Sequence, residues 1–514
     1  LLALAASALA VPSFVACTSS SASAPENDTT SDAGATTPDA GNAPGADASP
    51  SGNSDSAAQD AQIRVVHAAP DAPAVDIWVQ GGSAPVITNL AYQKASAYLS
   101  VPPGSYVFQV KASPSTATST VVYSTPSVTL AAGETVTAVA AGLLNPPAGS
   151  GDGAFEVLPL VESFHTSATG DATVRILHAG ADAPTVGIDP GNANPSAPAV
   201  PSLARFADTG AAGIDLPAGK ALQVGIDVGG KAFTAFTTPS LTASDDLFVI
   251  ATGLVGKLPR DPEGFGLLVV DHAGVVGFLQ QNPIVYALHD SPDAPAVDLY
   301  AGTAELASNL SFGNLSAPIQ VPPSTAGYPI SFYAAGQGPA NSDAGTAAAT
   351  ITTPALAAGQ EYLVLATGFL SPPAGNTNNF QLAAFEEGFT LGDAANDYVR
   401  AIHGSPDAPA VDIGVDASGT LSPVLFSDVS FPEASAATGL KLAPSATPVT
   451  VGVAGAGADT SVLANFSVPV TAGGRAFVVA AGSFATTPVG GNGFELIAID
   501  TTVSPWTATP IHHN

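Results

Sequence analysis

Basic side chains are scarce in this sequence. Its 514 residues carry 12 Lys and Arg against 42 Asp and Glu, a formal net charge of −30. A chain so charged has no footprint for a phosphate backbone, which argues against nucleic acid as a partner. The same charge opposes adsorption to anionic lipid headgroups. There is one cysteine, Cys17, so no disulfide forms within the chain and its domains hold together by core packing alone. Methionine is absent, and the N-terminus is therefore read as truncated or processed. No long segment has the 3.6-residue period of an amphipathic helix. Gly-rich runs such as 225–230 lack the Lys-Ser/Thr of a phosphate loop, and no serine sits in a G-x-S-x-G elbow. Tryptophan is limited to Trp78 and Trp506, which leaves few flat platforms for a sugar.

What is abundant points to β structure. Hydrophobic residues make up 46 % of the chain, beside 52 Gly and 45 Pro. That composition suits many short strands joined by tight turns. A chain of this length requires several cores, at ~100–200 residues per domain.

Residues 1–16, LLALAASALAVPSFVA, are apolar but too short to span a bilayer, which needs ~20 such residues. They are expected to be the end of a signal peptide, truncated at its start. Phe14-Val15-Ala16-Cys17 resembles the bacterial lipobox. That resemblance implies acylation of Cys17 and a membrane anchor, with Thr18 in place of Asp implying an outer-membrane or cell-surface lipoprotein. The alternative is an ordinary secreted protein. Residues 17–60 hold no aromatic and no Val, Ile or Leu after the cysteine, so they are expected to be a disordered tether.

Four segments then open alike: IRVVHAAPDAPAVDIWV at 63, VRILHAGADAPTVGIDP at 174, VYALHDSPDAPAVDLYA at 285 and VRAIHGSPDAPAVDIGV at 399. Each is followed by an apolar run ending in glycine, at Gly142, Gly253, Gly368 and Gly482. These landmarks define four repeats, at 61–168, 172–280, 283–392 and 396–508. Within the first, strands are expected at 63–67, 75–79, 98–101, 105–111, 120–123, 127–130, 135–141 and 155–161. Short turns imply antiparallel pairing. The fold class is all-β: four tandem immunoglobulin-like antiparallel β-sandwiches, pictured as beads on the short linkers 169–172, 281–283 and 392–396, forming a rod.

The H-x-x-P-D-A-P-A-V-D core, the Pro-Pro-Gly-x-Tyr stretch at 101–106 and the Ala-Ala-Gly-Glu turn at 131–134 resemble the domain of unknown function 4397 family. The resemblance covers all four repeats. It implies a β-sandwich and an exported location, and it brings no established activity, cofactor or catalytic residue. Repeat 2 departs from the pattern, with Ala181 for Pro and Gly187 for the second Asp.

The candidate residues are His67, Asp71 and Asp76 in repeat 1, His178 and Asp182 in repeat 2, His289, Asp293 and Asp298 in repeat 3, and His403, Asp407 and Asp412 in repeat 4. Three roles fit them. An Asp in Pro-Asp-Ala-Pro accepts backbone N–H bonds in a structural turn, while each Pro fixes φ. His and carboxylates also ligate metals, but one His and one or two Asp per repeat are too few for a closed zinc site. Acid–base catalysis is the third role. The turn is favoured, because a repeated fold needs it in every copy.

Other features read as bland. The pairs Asp245-Asp246 and Glu386-Glu387 are expected in solvent, and His512-His513 in a disordered tail. Trp78 shares the face of Asp76, a face expected to be exposed. The positions aligned with Trp78 are Asp189, Tyr300 and Gly414, which is thin support for a sugar site. The functional expectation is a non-catalytic surface lipoprotein presenting its sandwiches to an unknown protein or glycan ligand, for adhesion, envelope organisation or docking. The alternatives are an exported carbohydrate-active enzyme using paired carboxylates and a metal-dependent adhesion module.

Overall fold

The computed structural model of the chain describes residues 59–147, 153–339, 345–485 and 487–513. Residues 1–58, with the signal-peptide, lipobox and most of the tether expectations, lie outside them. The described chain is all-β. Runs rich in Val, Ile, Leu and Ala form the strands, and Gly- and Pro-containing turns end them.

Each repeat folds into two sheets packed face to face. In repeat 1 the first sheet runs Glu156–Val161, Thr135–Ala141, Ala61–His67, Leu99–Val101. The second runs Ile87–Leu90, Val75–Val79, Phe108–Ala112, Tyr123–Ser124. The other three repeats follow the same plan. Repeats 2 and 4 each add a fifth strand to the first sheet, Val275–Gln280 and Thr507–Ile511. Neither strand was anticipated, and the second carries the fold past residue 508. The expected strand 105–111 is broken into Gly104–Tyr106 and Phe108–Ala112, the former pairing with Val128–Leu130.

One pairing departs from the antiparallel expectation. Ala61–His67 runs parallel to Thr135–Ala141, with His67 opposite Ala140. The same parallel register sets His178 opposite Ala251, His289 opposite Ala366 and His403 opposite Ala480. Parallel neighbours need a long crossover. Here it is supplied by the entire second sheet, which lies between the two strands in sequence.

Between its two sheets each repeat has its own core, including Val65, Ile77 and Val110 in repeat 1, and Ile413, Val453 and Phe466 in repeat 4. The His-bearing strands, however, are buried on both faces, as in Ala172–His178 where every residue is buried. A strand covered on both sides needs a second layer over it. That layer is a neighbouring repeat. Val66, Val139 and Leu160 of repeat 1 join Leu177, Phe248 and Ile250 of repeat 2 in one apolar cluster. Likewise Leu288, Leu365 and Phe385 of repeat 3 join Ile402, Phe477 and Ile499 of repeat 4. The repeats are therefore not independent beads. They pack as two pairs.

The first pair is pseudo-symmetric. Arg64 donates from Nη1 to the main-chain oxygen of Asp271, and Arg175 donates from Nη1 to that of Val161 at 2.8 Å. Arg64 and Arg175 hold the same position, three before the histidine, and Val161 and Asp271 are equivalent residues, the first ending its strand and the second directly following the strand Gly266–Val270. Arg400 makes the same contact to Glu386 at 2.9 Å. Repeat 2 meets repeat 3 through polar groups instead: Thr234 to Gln281 at 2.6 Å, Thr237 to Asn282 at 2.7 Å, and Gln320 to Thr234 at 3.1 Å.

Candidate functional site

The opening motif begins at the end of the His-bearing strand and turns into the second sheet. His67 is fully buried there. Its Nε2 lies 3.1 Å from the Pro73 oxygen, and its Nδ1 lies 3.3 Å from the Ala69 nitrogen. A carbonyl only accepts and a backbone amide only donates, so the ring is neutral with its proton on Nε2. His178, His289 and His403 repeat the Nε2 bond, to Pro184, Pro295 and Pro409, at 2.8, 3.0 and 2.9 Å. Burial lowers the pKa of all four, against the opposing pull of that carbonyl.

The first aspartate reaches across to the loop after the parallel strand. Asp71 accepts the N–H groups of Leu144 and Asn145 at 2.8 and 2.9 Å. Asp182 takes those of Val255 and Gly256, at 2.8 and 3.0 Å. Asp293 takes Leu370 and Ser371, both at 2.7 Å. Asp407 takes Phe484 at 2.7 Å and Ala485 at 3.3 Å, with the Ser483 hydroxyl at 2.6 Å. The same loop explains the recurrent glycine. Gly142, Gly253, Gly368 and Gly482 all have positive φ, between +81° and +88°. A Cβ on any of them would fall 2.2 or 2.3 Å from a facing carbonyl oxygen. Only glycine fits both demands.

The second aspartate fastens the second sheet. Asp76 accepts Asn89 N–H at 2.8 Å and Ser115 N–H at 2.7 Å. Asp298 accepts Asn309 at 2.6 Å and Gly336 at 2.7 Å, and Asp412 accepts Asp428 and Gly457 at 2.7 Å each. Asn89, Asn309 and Asp428 all have left-handed backbone, φ 52°, 50° and 53°. The carboxylate thus holds a bulge that the chain would otherwise resist. Burial raises the Asp76 pKa, but the bonds from Ser115 and Asn89 outweigh it and leave the carboxyl below its ordinary range. In repeat 2 a side chain at 187 has no room. A Cβ there would lie 2.5 Å from Pro198 Cγ, and Asn89 has no left-handed counterpart in the strand Val200–Leu203.

The three residues therefore do not converge on one point. Each binds a different stretch of backbone. Among the described residues no group of three or more His, Cys, Asp or Glu is placed to hold a metal ion.

Three expectations need correction. Trp78 is 3 % exposed rather than on an open face. Its Nε1 donates to Ser115 Oγ at 2.8 Å, and the Lys111 ammonium lies over its ring at 4.4 Å. Glu387 is buried, held by Arg260 at 2.7 Å and Arg475 at 3.4 Å. His512 follows the added strand and pairs with Glu495 at 3.0 Å. Sequence reading also passed over Arg64, Arg175 and Arg400. The signal was present: in a chain with 12 basic residues, three share one offset from a repeated histidine inside an apolar strand.

The model of the family described as a domain of unknown function, DUF4397, matches residues 61–189, 284–394 and 397–511, well over half of the chain. The rest of repeat 2 is unmatched, although its sheets follow the common plan. No curated protein matches the chain.

Proposed function

Because the chain belongs to the DUF4397 family, whose description carries no activity, we propose from its own geometry that it is a non-catalytic, exported scaffold. In this reading Cys17 is acylated and anchors it to the outer membrane or cell surface. The paired sandwiches are presented to a protein or glycan partner, for adhesion or envelope organisation.

One observation carries the reading. Each motif residue that has acid–base or ligand chemistry already spends it on the backbone: the His on a proline carbonyl, the first Asp on two loop amides, the second Asp on a bulge. A carboxylate that already accepts two backbone amides, and a buried histidine whose Nε2 proton is held by a carbonyl, have little to offer a substrate, and in repeats 3 and 4 the Nδ1 that lacks a partner is itself buried. The loops that these residues hold still are the natural presenting surface, since a fixed loop binds without losing its own conformational entropy.

The test has two arms. Mass spectrometry of the mature cell-bound chain is expected to show diacylglyceryl on Cys17, with Cys17→Ser released from the membrane. An unmodified thiol there overturns the anchor. The purified chain is expected to leave a panel of envelope and extracellular glycans intact. Hydrolysis that is abolished by one Asp→Asn or Glu→Gln substitution overturns the non-catalytic reading.

A further inference from the structure

The four repeats share a plan but not the filling of their sandwiches. Between the sheets of repeats 1 and 3 lie gaps of about 30 and 50 Å³. Repeats 2 and 4 hold cavities of about 330 and 280 Å³. The two kinds of repeat also differ in side-chain size along one inward-facing strand. Strand register sets Lys111, Asp227, Tyr333 and Ala454 as equivalents, opposite Asp76, Gly187, Asp298 and Asp412. Five residues earlier stand Tyr106, Leu222, Tyr328 and Val449.

Where the residue is tyrosine it plugs the sandwich. Tyr106 packs on the repeat 1 core and donates its hydroxyl to Pro102 O at 2.7 Å. Tyr328 packs on two apolar clusters of repeat 3 and donates to Pro322 O at 2.8 Å. Two residues on, Phe108 and Ile330 add bulk, where repeats 2 and 4 have Val224 and Val451. The tyrosine ring is thus replaced by leucine or valine in the two repeats that hold a cavity.

The repeat 4 cavity is lined by apolar side chains throughout, with Phe426 its one aromatic. Val449, Val451, Val468 and Val478 face inward yet are only half-buried, so the cavity reaches solvent. Water gains little in such a space, because it needs two to four polar partners. Each cavity is about twice the ~150 Å³ of an apolar cavity that takes up benzene. The space is a slot between facing sheets, which suits a thin flexible chain. The repeat 2 cavity has Asp245 and Asp271 in its lining, and these carboxylates repel an anionic head.

We propose that repeats 2 and 4 each bind one uncharged aliphatic chain, such as that of a fatty alcohol or an acylglycerol, in the sandwich interior where tyrosine closes repeats 1 and 3. This goes beyond the scaffold reading and stands whether or not Cys17 is acylated.

Calorimetric titration of the full chain, as Cys17→Ser, with 1-decanol tests it. Two sites are expected in the parent, one in Leu222→Tyr or Val449→Tyr, and at least tenfold weaker binding at both sites in the double variant. Val224→Phe and Val451→Phe fill the same spaces from the neighbouring position and are expected to act alike, which covers a tyrosine variant that fails to fold. Flotation with phosphatidylcholine vesicles separates the sources of the chain. Flotation that the double variant loses assigns a bilayer lipid tail, and decanol binding without flotation assigns a freely dissolved chain. No saturable decanol binding, or binding that all the filled variants retain, overturns the proposal.

Discussion

Trp506 lies flat on Tyr286, with ring centroids 4.3 Å apart and planes 10° from parallel. Tyr286 stands where repeats 1, 2 and 4 have Arg64, Arg175 and Arg400. Repeat 3 thus seals its side of the pair with stacked rings, and repeat 4 seals its own with a guanidinium on a carbonyl. Trp506→Ala removes the larger ring from a shared apolar cluster. The expected cost is about 3–5 kcal/mol, read in urea titrations as an earlier unfolding transition of repeats 3 and 4, with repeats 1 and 2 unmoved.

The clamp between turn and loop is open to a graded test. Asp293→Ala strands the amides of Leu370 and Ser371. Both bonds are exposed to water, so their loss costs only the net worth of a hydrogen bond, about 0.5–1.5 kcal/mol each. Hydrogen exchange at those two amides is expected to rise sharply. Asp293→Asn, which keeps an acceptor oxygen, is expected to lose less.

Gly368 faces the Asn379 oxygen so closely that a methyl group would sit 2.2 Å from it, at φ +86°. Gly368→Ala combines that collision with a left-handed backbone that alanine resists. A loss of about 2–4 kcal/mol is expected by thermal melting. Gly375→Ala, at φ +89° with open space around it, isolates the backbone term and is expected to cost about 1 kcal/mol.

Acidity tests the interior of the second pair. Burial, reinforced by the neighbouring charge of Glu387, pushes Glu361 up to about 7, against the pull of Arg260 and Arg475. A carboxyl that titrates higher folded than unfolded takes up protons on folding. Its stabilising contribution is full below the unfolded value near 4.5 and is lost as pH rises through about 7. The four motif histidines act the other way. Their lowered pKa makes their contribution full above about 6.5 and lost as pH falls through the folded values. Glu361→Gln is therefore expected to raise the melting temperature at pH 8 more than at pH 5. The gain at pH 8 is expected to be at most about 3 kcal/mol. Equal effects at both pH values would refute the assignment.

The sequence was most informative where a local demand recurs. His67 with Pro73 is a short-range arrangement whose residue types are fixed by turn geometry, and Asp71 with the loop behind Gly142, although distant in sequence, recurs because each repeat needs the same clamp, so both repeat visibly. Strand Val75–Val79 and strand Thr135–Ala141 were readable for the same reason. What was hidden is set by distant neighbours. The parallel partner of Ala61–His67 lies beyond the second sheet in sequence, so turn lengths say nothing of it. Trp78 and Glu387 look solvent-facing from alternation and charge, yet Lys111 covers one ring and Arg260 reaches the other carboxylate from a separate repeat. Strands Val275–Gln280 and Thr507–Ile511 have no counterpart in repeats 1 and 3, so comparison between repeats could not reveal them.

The seam between repeats 2 and 3 differs in kind from the two faces within the pairs. It is made of amides and hydroxyls, with Arg260 on Glu387 as its ion pair. Such contacts exchange readily for water, and a buried ion pair adds little net holding strength. Under a stretching load the chain is thus built to yield there first, as two intact halves, each keeping its interior dry while the distance between its ends grows.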